Sequence, residues 1–365
     1  MTLIPHRTVV SQVAAQLRKG IAQGEWKERL PGERWLCEKM QVSRTALRQA
    51  LEQLREERII ESRQGVGHRI LLRSRRAKKV EPRSIGLLMS DPPEPSARLR
   101  PNVAFWMEEL KERLHDFGCE LSLRFGRSYY HAAPQQALRR LVRDEPHSGW
   151  IVALSTRPLQ RWFMENKVPC VVAGSCYEDV LLPSVDLDYR SICRHAAGEL
   201  LRQGHRRIVY FCRHSKAAGD AESERGFLEG AESSDHPGIK AEVLHHDGTI
   251  ESVSSRLSAL FSRKQAPTGL LVANSNWYLA TVTSLARRNL RVPEDVSVIS
   301  RNDDPFLDFV VPKPARYSNS PHIFTKKFLG LALEMLEGRP LSLQPTRIFP
   351  TFDPGASLRR LVPEK

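Results

Sequence analysis

No stretch of this chain approaches the about 18 consecutive apolar residues that a membrane-spanning helix needs. The opening MTLIPHRTVV has no apolar core of the kind a secretory signal carries. Cysteine is scarce: six in 365 residues, none spaced as CxxC. Cys37, Cys119, Cys170, Cys176, Cys193 and Cys212 sit mostly beside apolar neighbours, as buried free thiols do in a reducing cytoplasm, and neither a disulfide framework nor a zinc ribbon is expected. GxSxG, HExxH, the phosphate loop GxxxxGKS/T and a GxGxxG following a strand are all missing. These absences predict a cytoplasmic protein that is not an enzyme, touches no membrane and needs no cofactor or metal. His245-His246-Asp247 is the one His/Asp cluster and stays open between a polar loop and a metal site.

Basic residues are in surplus. Lys and Arg number 56 against 42 Asp and Glu, a net charge of +14. Residues 1–83 hold 19 Lys and Arg against 9 acids, so about +10 of that charge lies in the first quarter of the chain. Such a concentration is the footprint expected for a polyphosphate partner, or simply a solvated basic surface. The length suits a small domain followed by a large one.

Pattern decides between those readings. In PGERWLCEKMQVSRTALRQALEQLREERIIESRQGVG, from Pro31 to Gly67, a short helix runs to Met40, Gln41-Val42 turn, and Ser43 caps a second helix from Arg44 to about Glu57. Leu47, Ala50, Leu51 and Leu54 recur at helical spacing and should be core, which puts Arg44, Thr45 and Arg48 on the opposite face. Short strands at Ile59–Ser62 and His68–Leu71 flank a glycine-bearing basic tip, and a preceding stripe of Val10, Val13, Ala14, Leu17 and Ile21 forms another helix, ended by Gly24. Helix, tight turn, arginine-bearing helix and hairpin make a winged helix-turn-helix.

QVAAQLRKGIAQGEW, LPGERWL, VSRTALRQALEQL and ESRQGVG occur in the order and spacing of the DNA-binding domain of the GntR family of bacterial transcription regulators, which this segment resembles. The resemblance implies DNA contacts from Arg34, Ser43, Arg44, Thr45 and Arg48, with Gln64 and Gly65 in the wing. Gly32 stands where that family usually has a capping serine. Glycine there costs only a few tenths of a kcal/mol.

Residues 73–83, RSRRAKKVEPR, have no apolar periodicity and read as a basic linker between a domain at 1–72 and one at 84–365. From Ser84 short apolar strands alternate with amphipathic helices. Strands are expected at 85–89, 120–124, 150–154, 170–173, 207–212, 242–244, 270–273 and 296–299, and helices at 104–117, 136–143, 192–202, 221–231, 253–261 and 279–289. Near-continuous apolar strands in steady alternation with helices predict an α/β fold of two doubly wound subdomains with parallel sheets and a cleft between them.

IGLLMSD at 85–91, VDLDYRSICRHAAGELLRQGHRRIV at 185–209, GFLEG, GLLVANSNWYLA and RNLRVPEDVSVISRNDDP, with a closing helix over 323–336, resemble the periplasmic-binding-protein-like effector domain of the LacI/GalR repressors. A GntR-type reader on a LacI-type sensor is the combination of arabinose-responsive repressors. The resemblance implies a homodimer on double-stranded operator DNA and a small-molecule effector, a neutral polar compound such as a sugar. It places the effector contacts at Ser90, Asp91, Ser223, Asn274, Trp277 and Asn302. Ser223 stands at the family's sugar-clamping arginine, with Arg225 two places off, and Ser275 follows Asn274 where an aspartate is usual. Trp277 or Trp106 would give a sugar ring an apolar face, or pack in the core. The alternative function is a DNA-binding domain fused to an enzyme-derived domain with residual catalysis.

Overall fold

A computed structural model describes residues 9–22, 25–26, 29–56, 59–63, 67–70, 83–90, 101–234 and 236–361. The chain divides into two compact units, Met1–Glu81 and Pro82–Lys365. Gly24 and all of the expected linker except Arg83 lie outside the described residues.

The first unit is built on three helices, α1 (Val9–Ala22), α2 (Glu33–Met40) and α3 (Arg44–Glu56). Their apolar stripes meet in one core of Val13, Ala14, Leu17, Ile21, Leu36, Leu47, Ala50, Leu51 and Leu54, closed by Leu30, Ile60 and Ile70. Gly32 precedes α2 without a side-chain cap, and Gln41 ends it in the left-handed region at φ 52°. The Val42 amide then donates to the Cys37 carbonyl at 3.2 Å, which makes the turn tight. Strands β1 (Ile60–Arg63) and β2 (Gly67–Ile70) pair antiparallel, one residue nearer the tip than expected. A third piece of chain joins them: Arg29 bridges Arg69, and the Leu30 amide donates to the His68 carbonyl at 2.9 Å.

In the second unit the strands are β3 (Ser84–Met89), β4 (Glu120–Phe125), β5 (Gly149–Ala153), β6 (Cys170–Ala173), β7 (Ser184–Leu187), β8 (Arg207–Arg213), β9 (Lys240–His246), β10 (Gly269–Val272), β11 (Ser297–Ser300), β12 (Ala315–Ser318), β13 (Thr346–Ile348) and β14 (Thr351–Asp353). The helices are α4 (Pro101–Asp116), α5 (Gln135–Asp144), α6 (Arg157–Glu165), α7 (Tyr189–Arg202), α8 (Ala218–Glu232), α9 (Ile250–Phe261), α10 (Ser275–Ala286) and α11 (Pro321–Leu336). They form two six-stranded sheets, ordered β13-β7-β6-β5-β3-β4 and β14-β12-β11-β10-β8-β9, parallel except for β14. Every residue of β3, β5, β10 and β11 is buried, as strands covered by helices on both faces must be.

All eight expected strands are present. Four more, β7, β12, β13 and β14, and helix α6 were not foreseen. SVDL, ARYS, TRI and TFD are too short and polar to announce themselves by apolar alternation. The chain passes from the first lobe into the second after β7, returns to α11 and β13 after β12, and crosses again to β14. Helix α11 packs on α4 of the first lobe, and α7 packs on α8 of the second.

Candidate functional site

The first unit turns a cationic helix face to solvent. Ser43 ends the turn, and its Oγ accepts from the Ala46 amide at 3.2 Å, filling one of the open donors at the start of α3. Capping fixes the direction in which the first turn of α3 projects. Arg44, Thr45 and Arg48 are all exposed there, with their apolar counterparts buried on the other side.

Arg48 is oriented by a neighbour. Its Nε donates to the Glu33 carboxylate at 2.9 Å, and that carboxylate also faces His68 Nε2 at 3.7 Å. The first residue of α2 thus joins the exposed face of α3 to wing strand β2. Arg34 pairs one turn along its own helix with Glu38 at 3.2 Å, its side chain 84% exposed. Exposed pairs of this kind hold weakly, and a phosphate or base edge can displace the carboxylate. Gln64 and Gly65, expected at the wing tip, lie outside the described residues.

In the second unit the loop after β6 meets the start of α8. A Cβ on Gly219 would stand 3.0 Å from the Tyr189 ring and 3.4 Å from Ser175 Oγ, so a bare backbone suits this approach. Arg225 points outward and bridges Glu222 of its own helix to Glu178 of the first lobe, at 2.9 and 2.8 Å. This exposed, weak pair spans the two lobes at one edge.

The buried polar centre of this unit belongs to a residue that sequence reasoning passed over. Arg301 follows β11 and is 2% exposed. Its Nη1 donates to Tyr210 Oη at 2.8 Å, Ser223 Oγ at 2.5 Å and Asp220 Oδ1 at 3.2 Å, and its Nε donates to Asn302 Oδ1 at 3.3 Å. The guanidinium carbon lies 4.5 Å from the Tyr189 ring centroid. Burial disfavours this charge, yet Tyr210 and Asp220 hold its pKa well above the ordinary arginine value. The same burial pushes the Tyr210 phenol well upward.

Residues 9–70 match the gntR family of bacterial regulatory proteins, and residues 197–358 match the periplasmic binding protein-like domain. The arabinose metabolism transcriptional repressor of Geobacillus stearothermophilus is 24% identical over 309 residues, 81% of this chain and 82% of the relative. The chain is a transcriptional regulator that joins a GntR-type reader to a LacI-type effector domain. The CytR repressor of Escherichia coli K12 is 23% identical over 48% of this chain and 51% of its own. Among solved structures, a LacI-family regulatory protein from Chloroflexus aggregans covers 76% of this chain and 98% of itself at TM-score 0.66 and 18% identity. One from Enterococcus faecium, with bound ribose, covers 76% and 100% at TM-score 0.61 and 18% identity. No helix among the described residues is long and apolar enough to cross a membrane.

Of the residues expected to meet the effector in this regulator, Ser223 and Asn302 bond to Arg301. Ser223 is fully buried; its hydroxyl donates to the Gly219 carbonyl at 2.7 Å while accepting from Arg301. The guanidinium bonded to Ser223 comes from Arg301, just after β11, and not from α8. Asn302 is 7% exposed. Asn274 caps α10, its Oδ1 accepting from the Asn276 amide at 2.9 Å, which leaves its amide nitrogen for other partners. Trp277 is half-buried and meets the His246 ring edge-on at 4.5 Å. Trp106 is core, tilted against Phe328 at 4.7 Å. Ser90 is half-buried just past β3, and Asp91 lies outside the described residues. The missed signal was local: an arginine directly after the buried run VSVIS.

His246 and His205 are both held neutral by burial, each with its pKa lowered to about 4. Their folded values lie below the unfolded value near 6.5, so the stability they lend is complete above about pH 6.5 and is lost as pH falls toward 4. Unfolding by urea at pH 7 and pH 4.5 should differ by about 2 kcal/mol or more for each histidine, the acid side being weaker. In a double His205→Gln, His246→Gln variant this part of the pH dependence should vanish; a slope equal to that of the native chain would show that other groups carry it.

Proposed function

We propose that residues 1–72 read operator DNA, that 73–83 tether them, and that residues 84–365 dimerise and sense a small polar effector. Arg44 and Arg48 are the base-reading side chains in the major groove. Arg34, Ser43 and Thr45 hold phosphates, and Gln64 and Gly65 approach the backbone or minor groove from the wing. The observation that carries this is the capped, solvent-facing arginine pair of α3 beside a hairpin. Dimerisation would set two such helices on successive half-sites, and the protein acts in the cytoplasm.

The effector is a neutral polyhydroxyl compound, a monosaccharide. Asp220 pairs with Arg301, which leaves little net charge to attract an anion, while Asn274 and Asn302 offer donors and acceptors suited to hydroxyl groups. A relative named for arabinose metabolism and a neighbour in fold with bound ribose support a pentose first. Effector binding favours one lobe arrangement and so shifts operator affinity; a hundredfold change needs about 2.7 kcal/mol of coupling.

Operator DNA selected from a random pool, then titrated with the full chain in the presence and absence of a pentose and hexose panel, tests this. One sugar should raise the melting temperature and change operator affinity, and Asn274→Ala should abolish the response while leaving operator affinity in the absence of sugar unchanged. Absence of sequence preference would remove the reader assignment. An unaltered dose response in Asn274→Ala would place the effector elsewhere.

A further inference from the structure

Beside the Arg301 cluster, three metal-ligating side chains converge from three elements. Cys212 and His245 are register partners on neighbouring parallel strands β8 and β9, so both side chains leave the same face of the sheet. Glu224 reaches them from α8. Its Oε1 lies 2.8 Å from His245 Nε2 and 4.0 Å from Cys212 Sγ, and the three donor atoms fall within 4.8 Å of one another. We propose that Cys212, Glu224 and His245 form a binding site for a divalent transition ion of the zinc class, independent of the effector reading above.

Bonds of about 2.0–2.3 Å in a tetrahedron set donor-to-donor edges of about 3.3–3.8 Å. The observed spacings fall on either side of that range, so sub-ångström side-chain shifts bring all three donors onto one ion. One sulfur, one imidazole nitrogen and one carboxylate oxygen suit zinc or cobalt and not the oxygen-seeking magnesium or calcium. Cys212 is buried at the inner end, and Glu224 and His245 are half-buried, so the outer side stays accessible. His214, two residues after Cys212, turns its exposed ring edge-on to His245 at 5.4 Å but stands outside this donor cluster.

Without an ion, Glu224 Oε1 pairs with His245 Nε2 at 2.8 Å and accepts from the Cys212 thiol only at a long 4.0 Å. Burial, and then the Glu224 carboxylate, push the Cys212 thiol pKa up, so without an ion the thiolate is strongly disfavoured. An arriving dication reverses this: sulfur and carboxylate both bind it, and the thiol proton leaves to solvent. The site also shares helix α8 with the Arg301 cluster. Helix α8 carries Glu224 directly after Ser223 and one turn after Asp220, both of which bond to Arg301. Occupancy would pin α8 to the β8–β9 edge.

Cobalt titration of the reduced, chelator-treated full chain tests the site. One equivalent of Co2+ should bind with a thiolate-to-cobalt charge-transfer band and the intense visible absorption of tetrahedral cobalt, and Zn2+ should bleach both. Cys212→Ser should abolish the charge-transfer band. Glu224→Gln and His245→Gln should each weaken Co2+ binding by about 10-fold or more. No charge-transfer band in the native chain, or a band that survives in Cys212→Ser, overturns the proposal. Should Cys212→Ser fail to fold by circular dichroism, unchanged Co2+ affinity in the Glu224 and His245 variants overturns it equally.

Discussion

Replacing Arg48 with Ala should lower affinity for the selected operator by about 5- to 150-fold, the cost of one bidentate guanine contact at about 1–3 kcal/mol. Binding to unrelated DNA should weaken far less, since one phosphate-range charge among many is lost. Stability should scarcely change. Arg48 is exposed and its partner is the surface carboxylate of Glu33, a pairing whose removal typically costs under about 1 kcal/mol. Arg48→Lys is the informative companion: it keeps the charge and loses the planar fork, so it should retain non-specific binding and still lose operator preference. Fluorescence anisotropy on operator and scrambled duplexes, at two salt concentrations, separates the two losses. Equal weakening on both duplexes would make Arg48 a phosphate contact, and no weakening on either would remove it from the interface.

Replacing Arg301 with Ala should produce the largest loss of stability in the chain, about 3–5 kcal/mol. That is at the upper end for truncating an enclosed side chain and stranding its buried hydrogen-bond partners, Asp220 itself being 32% exposed. The side chain is almost fully enclosed and serves Tyr210, Ser223, Asp220 and Asn302 together. Without it the Asp220 carboxylate loses its cation, and the hydroxyls of Tyr210 and Ser223 each lose a partner. In calorimetry the transition of the second unit should fall by several degrees or more, while that of the first unit stays where it is, because the helix-turn-helix core shares no residue with this cluster. A loss below about 1 kcal/mol would mean that water replaces the guanidinium without penalty.

The two units differed in how much of them could be read in advance. The helix-turn-helix was nearly complete in the sequence because its determinants are local: helical apolar spacing, a serine cap, a turn residue and an arginine pair all lie within a few dozen residues. What escaped was the Glu33 carboxylate that joins α3 to the wing, since it links Arg48 and His68, twenty residues apart, through space. In the second unit every long apolar strand was expected, and the strands of three or four residues near the lobe crossings were not. Arg301 illustrates the limit most directly. Its position after β11 was readable, but its partners sit on β8 and α8, some 80 to 90 residues earlier, and only the folded sheet order brings them together. Asn274 is the converse case, for a residue chosen as an effector contact also has a plain structural task at the start of α10.

The chain's repeated passage between lobes has a consequence for how the protein can be dissected. Because α11 and β13 return to the first lobe after most of the second has been laid down, and β14 then rejoins the second, neither lobe is a contiguous length of polypeptide. A stop codon near residue 319 would strip a packing helix and an edge strand from one half and an edge strand from the other. Deletion mapping by serial shortening from the carboxyl end would therefore wound both halves at once, and isolating either alone calls for splicing distant pieces or rewiring the order of the termini.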